Sequence, residues 1–92
     1  MKRILRKVFY APSVYTAGGV YERIDEVKDV DDVLSLQSSS GYIFEPVKGG
    51  LTGNAFKYRV YWQTGVSGNP FTEVADGTNI SSAMCEAVVL GE

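Results

Sequence analysis

Residues 56–63, Phe56-Lys57-Tyr58-Arg59-Val60-Tyr61-Trp62-Gln63, alternate between two kinds of side chain at every step. Period two places Phe56, Tyr58, Val60 and Trp62 on one face of a β-strand and Lys57, Arg59, Tyr61 and Gln63 on the other. A strand with one apolar face needs a second layer over it, so the stretch points to a sandwich or a closed sheet. It also predicts that Trp62 is a core residue, because it shares a face with Phe56 and Val60.

Toward the N-terminus, Lys2 to Ala11 alternates more loosely. Ile4, Val8 and Tyr10 fall on one side, Leu5, Phe9 and Ala11 on the other, and Arg6 and Lys7 on opposite faces. Apolar residues pointing both ways belong to a strand buried from both sides or to one that pairs outside its own domain. Pro12 then withdraws the next backbone donor. Residues 1–12 therefore read as a strand or an extended arm. Gly18-Gly19 marks a turn, and Val20 to Ile24 extends after it. From there the period is ambiguous: Ile24, Val27, Val30, Val33 and Leu34 recur at helical spacing, whereas the valines favour extended chain. The expectation is a loop or one short helix over Asp25–Asp32, then a strand from Val33 to Gln37.

Ser38-Ser39-Ser40-Gly41 has turn composition, and Tyr42-Ile43-Phe44-Glu45 beyond it reads as the return strand of a hairpin ended by Pro46. Val47 to Asn54, with Gly49, Gly50 and Gly53, reads as a mobile loop, and Thr64 to Pro70 as another connection. Phe71 to Ala75 resumes extension. Asp76-Gly77 is a hairpin dipeptide, which suggests a β-meander in the C-terminal half. The sum is one all-β domain over residues 1–92: a small antiparallel β-sandwich or barrel with an extended N-terminal arm and room for one short helix. Ninety-two residues with 45% hydrophobic content support only a small core.

The chemistry is bounded mainly by what is missing. There is no histidine, and Cys85 is the only cysteine, so the usual zinc sites, disulfide frameworks and Ser-His-Asp or Cys-His arrangements cannot be built. No cofactor and no catalysis are expected. Arg6 and Lys7 interrupt any signal-peptide apolar core, and no apolar run reaches the roughly 20 residues of a membrane span. Asn79-Ile80-Ser81 fits the glycosylation pattern but reads better as a turn. The acidic segment lacks EF-hand spacing, Gly49-Gly50-Leu51-Thr52-Gly53 lacks the P-loop lysine, and nothing sets a separation among Glu45, Glu73 and Glu86 for glycoside hydrolysis. Lys57, Arg59 and Tyr61 could serve a single nucleic-acid strand or a sugar, but a net charge of −2 argues against a general nucleic-acid binder.

Charge is distributed unevenly. Lys2, Arg3, Arg6 and Lys7 crowd one end, and Glu22, Asp25, Glu26, Asp29, Asp31 and Asp32 follow in one segment. Such a chain either pairs these charges within its fold or attracts copies of itself head to tail. In the second case Lys2, Arg3, Ile4, Leu5, Arg6, Lys7, Val8 and Phe9 form the contact, and Asp29, Asp31 and Asp32 form the surface that receives it.

Tyr58-Arg59-Val60-Tyr61-Trp62 followed by Pro70-Phe71-Thr72-Glu73-Val74-Ala75-Asp76-Gly77-Thr78 resembles the strand-turn pattern of small virion proteins of tailed bacteriophages, over about half the chain. The resemblance implies a capsid decoration (cement) or tail component: a non-enzymatic, often oligomeric β protein, made in the host cytoplasm and carried in the virion. Its partners would be other virion proteins, such as the major capsid protein or copies of itself, with no membrane and no nucleic acid. The alternative is a small carbohydrate- or nucleic-acid-binding β module.

Overall fold

The computed structural model describes residues 2–39, 41–63 and 71–92. Seven strands follow one another: β1 (Arg3–Tyr10), β2 (Val20–Arg23), β3 (Val30–Ser38), β4 (Tyr42–Pro46), β5 (Ala55–Gln63), β6 (Phe71–Glu73) and β7 (Met84–Gly91). They form two antiparallel sheets. One has the order β1-β7-β3; in the other, β5 is central, with β4 on one edge and both β2 and β6 on the opposite edge. The fold is an all-β sandwich, with no helix among the described residues.

The sheets divide the work of packing by side-chain size. The inner face of β7 presents Cys85, Ala87, Val89 and Gly91, all buried. Small residues there leave room for the large rings opposite, as close packing requires. Phe44, Phe56 and Tyr58 come from the β5 sheet and Phe9 from β1. Phe9 lies edge-on to Phe44 and Phe56, each at 5.9 Å between centroids, and 5.2 Å from Tyr58. Phe9 therefore joins the two layers and carries core energy.

The N-terminal segment is consequently not an arm. Every residue of β1 pairs with β7, from Arg3 opposite Gly91 to Tyr10 opposite Met84, so β1 is an edge strand of its own sheet. Of the loop or short helix expected over Asp25–Asp32, residues 25–29 form the loop, and β3 begins at Val30 rather than Val33. Register shifts between Val30 and Asp32 and between Val33 and Ser35 mark two bulges. With an extra residue at each, Val30, Val33 and Leu36 all oppose the inward positions Gly91, Val89 and Ala87, so a spacing of three arises within a strand.

Two expected hairpins are instead crossings between layers, since the strands they join do not pair with each other. The serine turn passes the chain from β3, which pairs β7, to β4, which pairs β5. The turn at Asp76-Gly77, where Gly77 takes φ +82°, lies on the path from β6 to β7, again in different sheets. The meander therefore stops at β6. The expected connection Thr64–Pro70 and Ser40 of the serine turn lie outside the described residues.

Between β2 and β6, the edge of β5 has a gap that a side chain fills. Val60 N–H, buried, donates to the Tyr15 hydroxyl (3.1 Å), and Tyr15 donates in turn to Glu73 (2.7 Å). Glu73 also accepts Gly18 N–H (2.7 Å), while the Gly18 carbonyl accepts from Arg59 Nε (3.0 Å). Backbone bonds Tyr15 N–H to Thr78 O (3.0 Å) and Gly77 N–H to Tyr15 O (2.7 Å) fix the loop that carries the tyrosine. A buried strand amide is thus satisfied where no strand of the described residues reaches it.

Candidate functional site

Alternation in β1 and β7 sends a second set of side chains to the far side of the β1-β7-β3 sheet, where no layer of the described residues covers them. The register arranges them in rows: Ile4, Leu90 and Asp32; Arg6, Val88 and Ser35; Val8, Glu86 and Gln37; then Tyr10 beside Met84. Ile4 is 64% exposed, Tyr10 61%, Val8 54% and Met84 40%. The bulged Leu34 is exposed too, and Val88 and Leu90 are half-buried. So many apolar groups on one open sheet face form a patch of the kind that marks a contact with another molecule. Near its middle, Arg6 lies 4.0 Å from Glu86.

The residues singled out from the sequence divide between this face and the interior. Ile4, Arg6 and Val8 lie on the open face. Leu5, Lys7 and Phe9 point inward, because strand alternation allows only every second residue to face out. Phe9 is buried and Leu5 packs against the core, so neither is available to a partner. The basic and acidic segments meet largely within the chain: Lys2 lies 3.4 Å from Asp31 and Lys7 3.9 Å from Glu26, and Arg3 donates to the Glu26 carbonyl. Asp29 exchanges backbone hydrogen bonds with Glu92. Asp32 faces out beside Leu90. The acidic segment is thus mostly an internal counterpart to β1 rather than a surface for a neighbour's arm. Tyr10, Met84, Val88 and Leu90 complete the face; β7, like β1, is apolar on both faces, a pattern that hints at a second face without showing which strand lies beside it.

The opposite side of the molecule also exposes apolar groups, Tyr21 and Ile43, but they stand among charged side chains. Lys57 stands 5.7 Å over the Tyr21 ring, and Arg59 and Glu73 are held in the Tyr15 network. The Tyr15 and Gly18 hydrogen bonds, with Arg59 nearby, hold the Glu73 carboxyl below the ordinary range despite some burial. Glu22 is shifted the other way, raised by burial against the opposing pull of Lys7. Glu86 lies on the far face from Glu45 and Glu73, so the three carboxylates do not converge. Among the described residues no group of three acids, cysteines or histidines is placed to hold a metal ion.

A shallow groove of about 260 Å³ runs between Asp32 and Val33 of β3 and Pro46, Lys48 and Leu51, below the size of most small-molecule pockets. Trp62 is not a core residue. It is 36% exposed, opposite Tyr42 on β4 and Thr72 on β6, because β5 continues past the end of the core. Cys85 is buried, and its thiol is pushed up to about 12 by that burial, which leaves it protonated and unreactive.

No protein-family model matches this chain, and neither a curated protein nor a solved structure does.

Proposed function

We propose that this chain is a non-enzymatic assembly protein that docks through the outer face of its β1-β7-β3 sheet, and that it serves as a decoration or tail component of a tailed-phage virion. The observation that carries the docking reading is the exposure of Ile4, Val8, Tyr10 and Met84 on one sheet face. What supports the virion role is the resemblance of residues 58–62 and 70–78 to small virion proteins. An uncovered apolar sheet face costs solubility, and it is kept where a partner covers it.

Quantitative mass spectrometry of purified particles of the encoding phage tests this reading. The chain should be present in fixed ratio to a shell or tube protein, and a folded Val8→Lys variant should be missing. Particles without the chain would overturn it. Exposure of Trp62 beside Tyr42 favours one second reading, a carbohydrate-binding module, since exposed rings stack on sugar faces. Titration with oligosaccharides, followed by fluorescence of this single tryptophan, would show saturation only under that reading.

A further inference from the structure

Resting on that docking reading, we infer that the occupant of the open face is a second copy of the chain, packed face to face about a two-fold axis that runs across the strands between the Arg6 and Val8 rows. A two-fold axis at that height lays the Ile4-Leu90 row over the partner's Tyr10-Met84 row, apolar on apolar, and does so twice. It also brings Arg6 on β1 level with the partner's Glu86 on the adjacent β7, again twice. Each end of the face is thus the complement of the other end, which is what an interface formed by the same patch on both subunits requires. Sheets pack in this way at about 10 Å with their strands roughly aligned.

The alternative of extending the sheet edge to edge through β1 is opposed by charge. Of the registers that keep the two outer faces on one side, the two that pair the most of Arg3–Tyr10 set Arg6 against Arg6 or Lys7 against Lys7, and lysine and arginine on an edge strand discourage such pairing. The face measures about 14 by 27 Å from strand spacing and rise, smaller than the roughly 800 Å² per partner of a stable complex. The pair is therefore weak alone and gains strength only where other contacts hold the copies together.

Charge exchange tests the axis. Sedimentation equilibrium from about 10 μM to 1 mM should show the wild type moving from monomer toward dimer mass. Arg6→Glu alone and Glu86→Arg alone should each remain monomeric, because each places four like charges at the centre of its own pair. An equimolar mixture of the two variants should regain dimer, since every cross-interface contact is then between opposite charges. The intrachain Arg6–Glu86 pair is exposed, so both variants should keep their melting temperatures. A wild type that stays monomeric throughout, or a mixture no more associated than its components, would overturn the inference. A monomeric chain still found in particles would remove only the second copy as occupant, whereas a dimer absent from particles would remove the virion reading and leave the pair.

Discussion

The outer faces of the two sheets are built on the same alternation and put it to different uses. On the β5 sheet, the outward Lys57, Arg59 and Glu73 are occupied by Tyr21, Gly18 and Tyr15. On the β1-β7-β3 sheet, the outward Ile4, Val8, Tyr10 and Met84 touch little of their own chain. A polar face can end at water, whereas an apolar one with no layer over it has its complement elsewhere. The contrast teaches that strand composition alone does not separate a core strand from a docking strand. β1 and β7 are apolar on both sides, and only one side of each belongs to this domain's core.

The largest effect should separate neighbours within β1. Phe9→Ala removes the ring that bridges the layers and should cost about 3–5 kcal/mol, enough to unfold a domain of ordinary stability. Val8→Ser, one residue away on the open face, should change unfolding free energy by under about 0.5 kcal/mol. Urea titration of both variants checks this, and equal losses would erase the distinction between the faces.

Next in size is the gap in the β5 edge. Tyr15→Phe leaves buried Val60 N–H without an acceptor and should destabilise by about 1–3 kcal/mol, whereas Tyr21→Phe on the outer face of the same sheet should be nearly silent. Calorimetry of the two variants would contradict this picture if the order were reversed. Trp62→Ala should lose only about 1 kcal/mol, since the indole sits beyond the core; a loss as large as that of Phe9→Ala would return it to the interior.

The smallest expected effects depend on pH and have opposite signs. The Glu73 carboxyl is held below its ordinary value when folded, so its contribution is present above the unfolded value and is lost as pH falls through the depressed folded one. Glu73→Gln should flatten the acid limb of the melting curve. Glu22 is raised by burial, so stability falls as pH rises from its unfolded value through its folded one. Glu22→Gln should melt higher than wild type at neutral pH and converge with it in acid. Melting temperature measured across pH 3 to 8, a range that brackets ordinary carboxylate titration, reads both.

Much of this was legible in the residues. The faces of β1 and of β5 through Val60 follow directly from period two. Trp62 did not, because alternation fixes a side chain's direction and says nothing about whether the opposite layer extends that far. The start of β3 was obscured for a different reason: a bulge between Val30 and Asp32 turns strand periodicity into a spacing of three between Val30 and Val33, which imitates a helix, while residues 25–29 are the loop their composition allowed. Hairpin signals at Ser38–Gly41 and Asp76-Gly77 located real turns but not their destination, since a turn residue sets local backbone geometry and sheet membership is decided by long-range pairing. The open face was half visible, in the two-sided apolar pattern of β1, and its β7 half became clear only once register placed Met84, Val88 and Leu90 beside Ile4 and Tyr10.

The placement of β7 between β1 and β3 also sets a clock. Tyr10 waits for Met84 and Arg3 for Gly91, pairs roughly eighty residues apart, and loops of that length close late in folding. At ribosomal speeds of about 5–20 residues per second, β1 spends about 4–16 seconds outside the tunnel without its hydrogen-bonding partner. During that interval its backbone edges are open, and every chain on the same messenger exposes the same strand. Lys2, Arg3, Arg6 and Lys7 then act as gatekeepers, keeping identical nascent strands apart until the last strand arrives to claim one side.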